Sequence, residues 1–339
     1  MIPERICVCL AAGLLLARLA GETPPVDPAL KPYEPAPVEA PKGVRYVLPD
    51  GSVRLSGAEH VKFILDGFDA LFARTHPGFR FSPDLRGTTT AIPFLAHDMT
   101  PFGSLGRDIS PREVVQFTEL NGGPPLEIRV AQASNTSQHL ATSLGVYVNS
   151  ANPTEKLTME QVARIFTSGN PKGDYLRWGQ LGLKGDWAGR RIETVVTPEY
   201  TGFGLYMEKA HFGNRPLKSD QEFGETADIL KRVGEDPSAI GFAAIGRSAP
   251  NTKMLALAPK EGGEYSKGGV EDVISGKYPL HRFVFFYIRR AAGKPVDPFV
   301  KEYFRLILSK EGQQIIASES DGYLPLTAAQ AAEELAKLD

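Results

Sequence analysis

Cysteine is almost absent: the 339 residues hold two, Cys7 and Cys9, both within the first apolar run. Once that run is removed on export, the remaining chain has no thiol, which excludes disulfides, thiolate metal sites and a cysteine nucleophile there. Neither cysteine follows the apolar run, where a lipid-modified cysteine would stand. Basic excess is missing as well, since 38 Lys and Arg stand against 40 Asp and Glu for a net charge of −2. That leaves no electrostatic footprint for nucleic acid. No apolar run suits a transmembrane helix. The six histidines, His60, His76, His97, His139, His211 and His281, are scattered without ligand spacing, so no metal site is expected. A Gly-x-Ser-x-Gly elbow, a Ser-x-x-Lys pair, a Walker loop and a His-Glu-x-x-His pair are all absent, and no catalytic residue or cofactor is assigned. Trp178 and Trp187, the two tryptophans, read as packing or loop-closing residues.

What is present describes a soluble globular protein, with 23% charged and 42% hydrophobic residues. The length exceeds one ordinary core, so two lobes are expected. Arg5, the apolar run Ile6 to Ala17 and the small residues near Ala20 read as a secretory signal over 1–20. It implies a periplasmic or extracellular protein. Residues 21–43 carry seven prolines and read as an extended, polyproline-like tether.

Strands and helices then alternate, which makes an α/β protein. Tyr46 to Leu48 reads as a first short strand. Ser56 to Glu59 has capping-box spacing before a helix whose apolar positions Val61, Ile64, Leu65, Phe68, Leu71 and Phe72 share one face. Ser110-Pro111-Arg112-Glu113 opens another helix. Leu126 to Ala133, Leu144 to Val148, Arg191 to Val196 and Ile240 to Ile245 read as strands. The run from Phe283 to Ile288 suits a central strand covered on both faces.

The stretch from Asp84 to Ser110 concentrates binding chemistry. Two small-residue turns, Gly87-Thr88-Thr89-Thr90 and Gly103-Ser104-Leu105-Gly106-Arg107, each follow a short apolar run. A helix starting after such a turn offers about half a positive charge and free N–H groups to an anion. The same device recurs at Thr197 to Gly204.

Several segments together resemble the PstS-like solute-binding proteins of phosphate ABC importers. They are Leu144 to Asn149, Leu157-Thr158-Met159-Glu160-Gln161, Trp178 to Gly182, Ala239 to Phe242, Tyr278-Pro279-Leu280 with the apolar strand after it, and Ser309 to Gly312 through Pro325. The resemblance implies a two-lobed type II periplasmic binding protein fold with two hinge strands. Lobe one would be 44–142 plus 246–339 and lobe two 143–245. It also implies an interlobe ligand site at Ser56, Gly57, Ala58, Thr88, Thr89, Thr90, Arg107, Thr201, Gly202 and Phe203. The implied partners are a small anionic solute, phosphate or related, and an ABC importer membrane component, with the protein itself a monomer.

Departures from the family pattern bear on the ligand. The third turn lacks its serine or aspartate, Thr197 stands in place of an arginine, and Phe203 in place of a threonine. Phosphate is therefore expected to bind weakly or not at all, and any bound anion to depend on Arg107. A scaffold or sensor that kept the fold is the other class. Polar groups converging in the cleft distinguish the first reading; an apolar cleft beside an exposed hydrophobic patch distinguishes the second.

Overall fold

The computed structural model describes residues 23–136, 139–290, 293–320 and 322–339, so the expected leader lies outside the described residues. The first half runs β1 (Val53–Gly57), α1 (Lys62–Thr75), β2 (Phe81–Asp84), α2 (Thr88–Ala96), β3 (Phe102–Leu105), α3 (Pro111–Asn121) and β4 (Leu126–Gln132). There follow β5 (Leu144–Asn149), β6 (Lys156–Thr158), α4 (Met159–Phe166), β7 (Glu193–Val196), α5 (Gly202–Ala210), β8 (Glu222–Phe223) and α6 (Thr226–Glu235). Next come β9 (Ala239–Ala244), β10 (Thr252–Met254), β11 (Ala256–Ala258) and α7 (Val270–Ile274). The chain ends with β12 (Phe283–Ile288), α8 (Pro298–Ile307), α9 (Lys310–Ile316) and α10 (Ala328–Ala336).

Two five-stranded sheets result, ordered β2-β1-β3-β12-β4 and β10-β5-β9-β7-β8, with β6 and β11 as a separate pair. In the first sheet β1 is parallel to β2 and β3, and β12 lies antiparallel between β3 and β4. The apolar run makes that position stable. Val284, Phe286 and Ile288 enter the core shared with α1 and α8, while Phe285 and Tyr287 pack on the other face against Ala91, Leu95 and Phe117. A strand buried on both faces needs apolar residues at consecutive positions, and these supply them.

Local signals explain several helix starts. Ser110 caps α3 in a capping box with Glu113, and Thr158 caps α4 in one with Gln161, each satisfying otherwise free N–H groups. In α1 the residues Ile64, Leu65, Phe68, Leu71 and Phe72 are all buried.

Four expectations need correction. Ser56 does not cap a helix: it lies in β1, and Ala58, at the start of the following turn, has no side-chain cap. Gly103 to Leu105 belongs to β3, so the second turn begins only at Gly106. Tyr46 to Leu48 contributes an isolated bridge from Val47 to Val53 in place of a strand. The proline-rich segment is extended but docked on the first sheet's core. Leu30 is buried there, the Tyr33 hydroxyl donates to Glu302 (2.7 Å), its N–H donates to Glu311 (2.6 Å), and Ala328 N–H donates to Asp27 (2.8 Å).

The lobe division at 245 also differs from the packing. β10 pairs with β5 in the second sheet, and Leu255, Leu257, Val273, Tyr278 and Leu280 join that sheet's core. Residues 252–280 therefore lie with the second sheet, and the return to the first comes at β12. The two passages between sheets, after β4 and before β12, run side by side: Ala133 N–H donates to Arg282 O (2.8 Å) and Leu144 N–H to Leu280 O (3.1 Å). No helix among the described residues is long and apolar enough to cross a membrane.

Candidate functional site

Between the sheets, a cavity of about 280 Å³ opens where the end of β3, the paired passages and the start of α5 meet. Arg107, Thr201, Gly202 and Phe203 line it, so four residues expected at the site come together from both halves of the molecule. Thr201 caps α5: its hydroxyl accepts from Gly204 N–H (3.1 Å) and donates to Pro198 O (2.7 Å). Gly202 and Phe203, the first residues of α5, line the cavity, and their N–H groups have no intrahelical acceptor, as at any helix start. Gly202 permits the approach of the two halves, since a Cβ there would lie 3.1 Å from Arg107 Cβ. Gly106 is equally constrained, because a Cβ would meet the His60 ring at 2.4 Å.

The remaining expected residues lie outside the cavity lining. Ser56 and Ala58 are buried, and their N–H groups are already used, Ser56 to Thr100 Oγ1 (3.1 Å) and Ala58 to Ser104 O (3.1 Å). Gly57 ends β1, where its carbonyl accepts from Gly87 N–H (3.1 Å). Thr88, Thr89 and Thr90 form the first turn of α2, with the Thr90 hydroxyl on Gly87 O (2.8 Å). The Glu59 carboxylate lies beside this helix start, both oxygens 3.7 Å from where a Gly87 Cβ would be. An internal anion thus stands near the dipole that the sequence offered to a ligand.

Arg107 is engaged too. Its guanidinium grips Glu113 with two bonds of 2.8 Å and donates also to Asp108 O (2.9 Å). Burial works against the Glu113 charge, but hydrogen bonds from Arg107 and Ser110 outweigh it and hold the carboxyl below its usual value. Lys209 reaches Asp108 across the cleft at 3.6 Å.

Arg282 lines the cavity without having been a site candidate, and Thr197 lines it at the position where the resemblance placed it as a departure from the family's arginine. Arg282, 3% exposed, donates to Thr142 O (2.9 Å) and Gly106 O (3.2 Å), while its Nε is buried without a partner among the described residues. Burial pushes its pKa down, with Tyr206 and Asp108 only partly restoring it. Thr197, 1% exposed, has a buried Oγ1 without a partner among the described residues. His60, also in the lining, bonds the Tyr323 hydroxyl through Nδ1 (2.6 Å), and burial lowers its pKa to about 4, so it is neutral at pH 7. No local motif marked Arg282, because it directly precedes an apolar strand.

A larger hollow of about 700 Å³ lies between α4 and the C-terminal end of α5. Its Arg164 is committed to the carbonyls of Gly173 and Lys172 and to the Tyr175 hydroxyl, and Lys172 pairs with Glu160. Its Arg215 also has a buried Nε without a partner among the described residues; the smaller cavity differs in lying between the two sheets and in bringing Arg282 and Thr197 together there.

Comparison with known proteins accords with this architecture. Residues 48–311 match the model of the PBP superfamily domain. The phosphate-binding protein PstS of Pseudomonas aeruginosa is 29% identical over 307 residues, covering 89% of this chain and 88% of that protein. An ABC-type phosphate transport receptor from Vibrio cholerae superposes with a TM-score of 0.53 at 20% identity, covering 81% of this chain and 99% of that one. PstS from Borrelia burgdorferi gives 0.53 at 16% identity, with the same 81% and 99%. At those identities the two structures speak for the fold. With a two-lobed α/β architecture, a family match over 48–311 and PstS-like sequence along most of its length, the chain belongs to the PBP superfamily as a PstS-like member.

Proposed function

We propose that the protein captures a small anionic solute, phosphate or a related oxyanion, in the cavity between its lobes and delivers it to an ABC importer. The observation that carries this reading is the convergence, at one interlobe cavity, of the α5 N-terminus, Thr197 and Arg282. Such an array of donors suits an acceptor-rich ligand. The cavity is assigned binding and no catalytic step.

Within this reading, one lobe comprises the described residues before 133 together with 283–339, and the other 144–281. The solute would close the lobes about the paired passages beside Arg282. Export through residues 1–20, action as a monomer outside the cytoplasm and docking to an importer complete the proposal. The relative named as a phosphate-binding protein supports the choice of first ligand to test.

Calorimetry with inorganic phosphate, sulfate and methylphosphonate tests it. A true ligand at 100 times its dissociation constant should also stabilise the fold by about 2.7 kcal/mol. Heat of binding together with a raised melting temperature for one of these anions is expected. Absence of both for all three would overturn the reading.

A further inference from the structure

We infer that Arg282, assisted by Thr197, is the principal charge-bearing contact for the anion, and that Arg107 is not; this rests on the binding reading above. A guanidinium carries five N–H donors. In Arg282 only two bonds are made, both to carbonyls, and no carboxylate lies within 4.0 Å of it among the described residues. Buried charges are normally paired, because desolvation without a counterion is costly. This one is left open beside a cavity.

Its surroundings fix where it points. The guanidinium carbon lies 5.0 Å from the Phe203 ring centre and 5.3 Å from that of Tyr206, both on α5. Cation–π attraction holds the fork against the helix whose N-terminus opens on the same cavity. Thr197 Oγ1, equally buried and unpartnered, lines that cavity too. An oxyanion placed there would accept from Arg282, Thr197 and the α5 main chain together, and would give Arg282 the direct anionic partner it lacks among the described residues.

The other cations do not compete. Arg107 is closed bidentately on Glu113, Lys209 faces Asp108, and His60 is bonded to Tyr323. Arg107 thus enters the cavity as half of a neutral pair, whereas Arg282 has no carboxylate within 4.0 Å among the described residues, Asp108 acting on it from farther away and Glu225 being the acidic residue of the lining. Its place at the paired passages also puts the ligand charge where the lobes hinge.

Isothermal calorimetry with inorganic phosphate on the full chain and on Arg282→Gln, Arg282→Lys, Thr197→Val and Arg107→Ala tests the assignment. Arg282→Gln should weaken binding by about 100-fold or more, the loss of two charge-assisted bonds. Thr197→Val should weaken it by about tenfold, and Arg107→Ala by less than about tenfold. Thermal unfolding without ligand checks that each variant folds; Arg282→Gln should lose the phosphate-induced rise in melting temperature. If Arg282→Gln does not fold, Arg282→Lys and Thr197→Val decide, and unchanged affinity in both overturns the inference. Binding that survives Arg282→Gln but is abolished by Arg107→Ala also overturns it. A wild-type protein that binds no anion defeats the broader binding proposal instead.

Discussion

Asp69 sits on α1 with its carboxylate accepting from the Tyr303 hydroxyl at 2.6 Å, and burial raises its pKa to about 7. In the unfolded chain the same group titrates near 3.8. Between those values the folded protein holds a proton that the unfolded one has lost, so this contribution to stability declines as pH rises from 3.8 through 7. Asp69→Asn keeps an acceptor for Tyr303 and removes the buried charge. It should raise the melting temperature at pH 8, by an amount equivalent to a few kcal/mol at most, and change it little at pH 4. An equal effect at both pH values would show that Asp69 is not the titrating group. His60 and His211 act in the opposite sense. Burial lowers both to about 4, against about 6.5 when unfolded, so the unfolded state binds more protons in that window. Their contribution is complete above pH 6.5 and is lost as pH falls toward 4. Melting temperature should therefore drop between pH 7 and pH 5 in the Asp69→Asn variant, where the carboxyl no longer offsets the two histidines. At this scale Arg107, Thr201, Gly202 and Phe203, which the folded chain brings to the interlobe cavity, stand next to turns recognisable in the sequence. It gave no such mark to Arg282, which reaches the cavity through bonds to Thr142 and Gly106, a relation across 140 and 176 positions of chain.

Elements with local signals were legible. The capping residues at Ser110 and Thr158 and the continuous apolar run of β12 each act over a few positions, and the folded chain uses them as written. Ser56 and Glu59 had the same spacing as a cap, but strand pairing took precedence, with Ser56 in register with Asp84 and Gly103. A parallel strand between two neighbours buries more than one helix cap satisfies, so the longer-range demand decided the conformation. Composition misled over the proline-rich segment. Seven prolines suggest a free spacer, yet prolines leave fewer backbone donors to satisfy, and the N–H groups of Tyr33 and Ala36 meet Glu311 and Glu302. Glu302 is 4% exposed and also receives the Tyr33 hydroxyl and Arg305 Nη1 (2.5 Å). Tyr33→Phe should thus lower stability by about 1 kcal/mol, allowing for the partial exposure of the tyrosine, without altering anion affinity. Urea unfolding reads this as a lower midpoint at constant slope. No change in midpoint would mean that the segment docks without contributing to the fold.

At the scale of the molecule, the path of the chain determines which parts can stand alone. Every strand of the second sheet comes from 144–254, and its core closes with residues up to Leu280, so this lobe is nearly one continuous segment. The first sheet is divided: β1 to β4 precede it, whereas β12, α8 and α9 follow. Since β12 is bonded to both β3 and β4, its loss separates β4 from the rest of the sheet and opens the core where Phe286, Tyr303 and Phe304 pack. A chain ending at Ile245 would lack that strand and would also strip Leu255, Leu257, Val273, Tyr278 and Leu280 from the second core. Each fully buried side chain of this kind contributes about 1.5–3 kcal/mol, and total stabilities are only about 5–15 kcal/mol, so neither lobe should survive the truncation. The segment 143–281 keeps its whole sheet and loses only Leu324 from among its buried core residues. Expressed alone, it should unfold cooperatively in urea, while the chain ending at Ile245 should show no cooperative transition. A sharp transition in the latter would mean that residues 252–280 and β12 are accessories to the two cores. A featureless curve from 143–281 would mean that the second lobe depends on the first across the paired passages.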